Sequence, residues 1–310
     1  MKVAIIQHSP ILLDLPRSID KAVSLIDDVA DNGAELVVFP EAFFPGYPAW
    51  IWRLRPGGDW DLTDQLHKRL LENAVDLEQD DLAPVREAAR KHKVTIVSGL
   101  HERDGRLSRS TLYNSVITIG PDGCMLNRHR KLMPTNPERM VWGLGDASGL
   151  KVVDTPCGRI GSLLCWESYM PLARFAMYAQ GVEIYIAPTY DSGDSWRGTM
   201  QHIAREGCCW VISAGVATRN HDIPDDFPER ERLYPDDEDW INPGDSVVIA
   251  PGGEIVAGPF HQTQDNIYAE VDIDRVAISR RSFDVAGHYS RPDIFTLHIN
   301  SQPQAPIDYD

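Results

Sequence analysis

Two hydrophobic periods alternate along this chain, and the switches between them mark its elements. Val3-Ala4-Ile5-Ile6-Gln7 is a short continuous apolar run, the pattern of a strand buried on both faces. Ile19, Ala22, Val23, Ile26 and Ala30 then recur at helical spacing until Asn32-Gly33 stops them. A strand follows at 35–39, then a proline- and tryptophan-rich loop over 45–60. Helical patterns over 62–77 and 82–92 lead into a strand at 94–100.

From there the pattern turns to hairpins. Residues 112–119 and 124–127 flank Gly120-Pro121-Asp122-Gly123, and 150–155 and 159–164 flank Pro156-Cys157-Gly158. A helix over 172–180, a strand at 183–187, a helix over 196–206 and a strand at 210–214 come next. A third hairpin pairs 246–250 with 254–257 around Pro251-Gly252-Gly253, and 267–271 adds a last strand. Hairpins mixed with strand-helix-strand units predict an α/β protein with mixed sheets and helices on their faces, rather than a purely parallel doubly wound sheet. No repeat and no dividing linker is present, so residues 1–310 are expected to form a single domain.

Composition narrows the class. The 310 residues are 43% hydrophobic and 25% charged, enough for a sizeable core, which sets disorder aside. No stretch of eighteen apolar residues occurs and the N-terminus turns polar early, so a soluble cytoplasmic protein with no membrane contact is expected. The five cysteines are odd in number, include the neighbours Cys208-Cys209 and lack a Cys-x-x-Cys pair, which predicts reduced thiols and no zinc site. Net charge is −16, so nucleic acid partners are not expected. The acidic segment 222–239, with nine carboxylates, two arginines and three prolines, reads as a solvated loop or insertion.

Ligands of α/β sheets gather where strands end, and three reactive side chains stand there. Glu41 follows strand 35–39 among Pro40, Ala42, Phe43, Phe44 and Pro45, where desolvation should raise its pKa and make it a usable base. Cys165 follows strand 159–164 at an incipient helix whose N–H groups should lower the thiol's pKa. Lys131 lies just past the first hairpin, where it could stabilise a negatively charged intermediate. Taken singly, a buried cysteine, a loop glutamate and a surface lysine are commonplace, and spacing alone does not join them.

A resemblance does. Phe39-Pro40-Glu41, His129-Arg130-Lys131-Leu132-Met133-Pro134-Thr135 and Gly161-Ser162-Leu163-Leu164-Cys165-Trp166-Glu167 resemble, in order, the three catalytic motifs of the carbon-nitrogen hydrolase (nitrilase) superfamily. The similarity runs from Val3 to the segment ending Gly287-His288-Tyr289-Ser290-Arg291-Pro292, whose sequence, like Cys165-Trp166-Glu167 with Tyr169-Met170-Pro171-Leu172-Ala173-Arg174, is similar to the true nitrilase branch. The resemblance implies a four-layer α-β-β-α sandwich whose protomers pair through helices into homodimers that often extend into spirals. It implies Cys165 as nucleophile, Glu41 as general base, Lys131 as the intermediate's stabiliser and Glu138 as the second glutamate orienting lysine and water. Glu167 and Arg174 match the family pattern with an expected structural role. Ser168 in place of asparagine or histidine, Ala214-Gly215 in place of Ala-Cys, and a short tail depart from that pattern.

The chemistry implied is hydrolysis of an organic nitrile to acid and ammonia, with no metal or organic cofactor. The same groups could hydrolyse an amide or carbamoyl group, or degrade cyanide. A silent assembly protein that keeps the fold is the reading from another class. Tyr47, Trp50, Trp52 and Trp60 are expected to form an aromatic cluster beyond Glu41, and Tyr47, Trp166 and Tyr190 are proposed as pocket walls. Tyr190 and Trp196 flank the loop after strand 183–187. His129 is read as a flanking residue, Cys208-Cys209 as core packing, and 143–149, which lacks Gly-x-Gly-x-x-Gly spacing, as a flexible loop.

Overall fold

The computed structural model describes residues 1–236, 239–305 and 307; Asp237 and Glu238 of the acidic segment lie outside the described residues. In chain order the elements are β1 (Lys2–Gln7), α1 (Leu15–Asp31), β2 (Leu36–Val38), α2 (Trp60–Asn73), α3 (Ala83–His92), β3 (Thr95–Arg103), β4 (Leu112–Ile119) and β5 (Met125–Arg130). The second half holds β6 (Val152–Thr155), β7 (Gly158–Ser162), α4 (Pro171–Ala179), β8 (Ile184–Thr189), α5 (Gly193–Glu206), β9 (Trp210–Gly215) and β10 (Ala217–Arg219). It closes with α6 (Arg230–Leu233), β11 (Trp240–Ile249), β12 (Ile255–His261), β13 (Asp265–Glu270) and α7 (Asp274–Arg280).

Two mixed sheets result. The first runs β13-β1-β2-β3-β4-β5, the second β10-β11-β9-β8-β7-β6 with β12 on β11. Strands β1, β2 and β3 are parallel, as are β7, β8 and β9, and the hairpin strands flank them antiparallel. The period-2 geometry of a strand divides the apolar runs between layers. Val3 and Ile5 join Leu36, Val38 and Val97 against Ile160, Ile184, Ile186 and Ile212 between the sheets. Ala4, Ile6, Val37 and Ile96 face the other way, onto Ile19, Ala22 and Ile26 of α1 and Val85 and Ala89 of α3. Tyr185, Val211 and Val247 likewise meet Met177 of α4 and Trp196, Met200 and Ile203 of α5. Helix, sheet, sheet and helix therefore stack in four layers, as expected.

Local signals explain the ends. Asp14 accepts the Arg17 N–H at the start of α1, where Pro16 needs no donor, and Asn32 closes its last turn. Several expectations need correction. Trp60 opens α2 and is 66% exposed, so it stands outside the aromatic cluster that was expected to include it. The acidic segment is more than a solvated loop, because Ile223, Phe227, Leu233 and Tyr234 are buried against Trp50 and Leu62 while Asp225, Asp226, Glu229, Glu231 and Asp236 are exposed. Arg53 donates to the Leu233 carbonyl at 2.7 Å and lies over the Tyr234 ring. The 143–149 segment is packed tightly rather than loosely: a Cβ on Gly145 would fall 2.1 Å from the Arg130 carbonyl oxygen, and one on Gly149 at the same distance from that of Arg128. No helix among the described residues is long and apolar enough to cross a membrane.

Candidate active site

Glu41 reaches the site because the chain turns sharply after β2 and lies directly on β3. A Cβ on Gly99 would meet Ala42 N at 2.5 Å, the Pro40 carbonyl at 2.6 Å and the Glu41 Cα at 2.7 Å, so only glycine allows this approach. The Glu41 side chain is fully buried and accepts three hydrogen bonds. Lys131 Nζ (2.8 Å) and Asn114 Nδ2 (2.7 Å) donate to one oxygen, and the Tyr190 backbone N–H (2.7 Å) to the other.

Lys131 is the first residue beyond β5, held by its own N–H to the Asn114 carbonyl at 2.7 Å. Its Nζ lies 2.8 Å from Glu41 Oε1 and 2.8 Å from Glu138 Oε2, a cation bracketed by two carboxylates and wholly out of solvent. Glu138 sits in a 3-10 turn, Asn136–Met140, that begins with a capping box. Its Oε2 accepts the Thr135 N–H at 2.7 Å and its Oε1 the Tyr47 hydroxyl at 2.6 Å. The Trp52 indole donates in turn to the Tyr47 oxygen at 3.1 Å.

Cys165 begins the 3-10 turn Cys165–Tyr169 at φ 49°, a left-handed conformation that a cysteine adopts only when the surrounding turn imposes it. Glu167 imposes it. Its carboxylate accepts the Leu164 N–H (2.7 Å) from the cysteine's own turn, the Leu132 N–H (2.7 Å) from the lysine's loop, and His129 Nε2 (3.0 Å) from β5. Glu167 therefore binds the Lys131 and Cys165 loops together, and His129, read from the sequence as a flanking residue, is its buried partner. Arg174 is tied to the Ser168 carbonyl (2.9 Å) and Glu206 (2.9 Å), which anchors α4 beneath the turn.

Burial governs the protonation states. It pushes the Glu41 carboxyl up, Lys131 draws it back and Glu138 adds to the rise, so the net shift is upward, as expected for a base. Burial works against the Lys131 ammonium, but Glu41, the Cys165 sulfur and Glu138 outweigh it and hold the lysine firmly charged. The expectation for Cys165 is overturned. Burial, followed by the negative charge of Glu41, pushes its thiol up to about 12, beyond what Lys131 and a hydrogen bond from Thr189 take back. The turn's N–H groups do not offset the loss of water, so burial favours the thiol over the thiolate.

Cys165 opens into a cavity of about 350 Å³. Tyr47, Trp166 and Tyr190 line it, together with Trp52, Glu138 and Asp191. Tyr47 and Tyr190 stack, while Trp166 is 45% exposed with its indole N–H on Asp191 at 2.8 Å. Trp50 lies instead in the apolar packing behind Tyr47, and Trp196 is on the buried face of α5 with its indole N–H on the Ser213 hydroxyl. Cys208 and Cys209 are buried free thiols away from this cavity, packed as expected. Sequence reasoning missed Asn114, Thr189 and Asp191. Asn114 carries a faint signal as an amide inside the apolar strand 112–119, and Thr189 and Asp191 as polar residues beside Tyr190 where a strand ends.

The chain has similar sequences and folds among known proteins. The family model described as carbon-nitrogen hydrolase matches residues 2–281. A bifunctional nitrilase/nitrile hydratase of Lupinus angustifolius is 40% identical over 316 residues, covering 100% of this chain and 88% of that protein. Nitrilase 1 of Arabidopsis thaliana is 38% identical over 313 residues, covering 100% and 89%. Among solved structures, Saccharomyces cerevisiae Nit3, a member of branch 10 of the nitrilase superfamily, superposes with a TM-score of 0.72 at 22% identity over 93% of this chain and 96% of its own. A carbon-nitrogen hydrolase from Helicobacter pylori G27 does so with 0.71 at 21% identity, over 94% and 96%. At such identities these structures establish the likeness of fold alone.

Proposed function

The chain belongs to the carbon-nitrogen hydrolase family, and from that premise we propose that it converts an organic nitrile to the carboxylic acid and ammonia through covalent intermediates on Cys165. The observation that carries this reading is the buried Lys131 ammonium held between Glu41 and Glu138, electrostatically coupled to a thiol that faces a small aromatic cavity.

Glu41 takes the thiol proton as sulfur attacks the nitrile carbon; that proton passes to the nitrogen and a thioimidate forms. Water, deprotonated by Glu41, adds to the same carbon; Glu41 passes that proton, and then the proton of the new hydroxyl, to the nitrogen, so that the C–N bond can break with ammonia as the leaving group. The tetrahedral intermediate expels ammonia and leaves a thioester, and a second water hydrolyses it, releasing the acid and returning the proton to sulfur. Lys131 and the backbone N–H of Trp166 stabilise the charge that develops at the reacting centre, in a site where exclusion of water strengthens each contact. Glu138 keeps Lys131 aimed, and Tyr47, Trp166 and Tyr190 form the substrate's walls. The whole chain serves this site as one unit in the cytoplasm.

A second outcome of the same chemistry is release of an amide, and the relatives named bifunctional nitrilase/nitrile hydratase favour it. The tetrahedral intermediate carries both nitrogen and sulfur, and loss of the sulfur instead of ammonia yields the amide. Pairing of protomers through helices also belongs to this reading. A groove of about 1240 Å³ along α4, bordered by exposed Leu172, Ile294 and Phe295, supports it.

Ammonia and amide release from a panel of aliphatic, aryl and arylacetonitriles, the matching amides and cyanide tests the proposal, with Cys165→Ala as control. Cysteine-dependent ammonia from organic nitriles is expected. Turnover of amides alone or of cyanide alone would replace the substrate class, and silence throughout would favour an assembly role.

A further inference from the structure

Thr189 ends β8, and its side chain is buried. Its backbone is fixed by pairing with Gly215 of β9. The hydroxyl Oγ1 lies 3.2 Å from Cys165 Sγ, in position to donate, and accepts the Asp191 N–H at 2.8 Å. The Asp191 carbonyl, at 3.4 Å, is its one other acceptor among the described residues, and a long one. No other side-chain hydrogen bond to this sulfur is present among the described residues.

A hydroxyl has one proton to donate, and what it gains depends on the acceptor. A neutral thiol accepts weakly, whereas a thiolate is a charged acceptor whose hydrogen bonds are roughly twice as strong. Because Thr189 and Cys165 are both buried, the difference is levelled less than it would be in bulk water. The contact is therefore weak in the resting enzyme and strengthens as charge appears on sulfur, which is the differential stabilisation that catalysis requires.

We infer that Thr189 is a positioning residue that donates its hydroxyl hydrogen bond to the Cys165 sulfur whenever that sulfur carries negative charge, as it attacks and again as it leaves. The inference rests on the reading of Cys165 as the nucleophile. On attack, the thiol proton goes to Glu41 and a sulfur electron pair forms the S–C bond. On departure, the S–C bond breaks, the pair returns to sulfur, and the proton held on Glu41 neutralises it. The Thr189 proton stays on its own oxygen throughout. The acceptor role toward Asp191 N–H gives the hydroxyl a fixed direction, and the following residue, Tyr190, holds Glu41 through its N–H, so one short segment orients nucleophile and base together.

The test compares Thr189→Val, which removes the donor at nearly constant volume, with Thr189→Ser, which keeps it. The first readout is alkylation of Cys165 by iodoacetamide near neutral pH, followed by peptide mass spectrometry; the second is the split of kcat against KM on a nitrile substrate. Loss of one hydrogen bond to a charged acceptor predicts alkylation and kcat slower by roughly tenfold to a hundredfold in Thr189→Val, with KM changing less and Thr189→Ser near wild type. Thr189→Ala repeats the comparison if Thr189→Val is insoluble. Wild-type alkylation in the donor-free variant would overturn the inference, as would a serine variant as slow as the valine one with KM raised, which would leave Thr189 as an anchor for the Asp191 loop only. Turnover surviving in Cys165→Ala would instead overturn the nucleophile reading, so the two failures are distinguishable.

Discussion

Tyr47 and Tyr190 stack face to face, with ring centroids 3.8 Å apart and planes 8° from parallel. Each is tied to a different carboxylate of the site: the Tyr47 hydroxyl donates to Glu138 at 2.6 Å, and the Tyr190 backbone N–H donates to Glu41 at 2.7 Å. The pair forms a pocket wall and couples the supports of both glutamates that flank Lys131. Burial, then the nearby carboxylates, raise the Tyr47 phenol well above its usual range, so it remains a donor across the working pH. Tyr47→Phe keeps the stack and removes one buried hydrogen bond to a charged group. We expect kcat to fall about tenfold or more and the unfolding midpoint to drop by a few degrees, with no new pH dependence, checked by steady-state kinetics and a melting curve.

On the proposed mechanism the Glu41 carboxyl, raised chiefly by burial, should set the acid limb of the rate. Catalysis needs the carboxylate, so activity should be present above the shifted pKa and be lost as pH falls through it. That limb of kcat/KM should lie above the ordinary glutamate range. Glu41→Gln, which preserves shape, should lower kcat by roughly a hundredfold to ten-thousandfold. An acid limb at the ordinary glutamate position would contradict the burial argument.

Glu167 is held by donors from three segments and does not line the Cys165 cavity, so its loss should act on the fold. Glu167→Ala would leave the Leu132 and Leu164 N–H groups buried without acceptors, a loss of about 3 kcal/mol or more. Chemical denaturation should register it, together with reduced soluble yield. His129→Ala, by contrast, should retain most activity, and a collapse of kcat with unaltered stability would mark the histidine as catalytic.

Gly99 tests the backbone approach that carries Glu41. Gly99→Ala places a methyl group within 2.7 Å of the Glu41 Cα and should displace the carboxylate from Lys131. A shift of about 1 Å in a reacting group can lower the rate by about a hundredfold, so activity should fall further than stability does. Parallel measurement of kcat and unfolding midpoint separates the two.

Much of this protein was legible along the chain. The apolar runs at 3–7, 35–39 and 94–100 and the hairpin turns at 120–123, 156–158 and 251–253 announced both sheets, because strand burial and turn chemistry are local properties. Motif order joins Glu41, Lys131, Glu138 and Cys165 into one candidate site, through resemblance. What a linear reading lacked was surroundings. Helix α7 and the buried apolar residues of the acidic segment depend on partners far along the chain, as do the close-packed glycines at 145 and 149. The cysteine's local turn suggested an easily ionised thiol, whereas the folded site removes water and sets Glu41 beside it, pushing the thiol up to about 12. Asn114 and Thr189 became site residues only when β4 and β8 brought them to Glu41 and Cys165. The candidate reactive groups are thus written in the order of residues, while their protonation and their supporting hydrogen bonds arise from desolvation and contact, which exist only once the two sheets have packed.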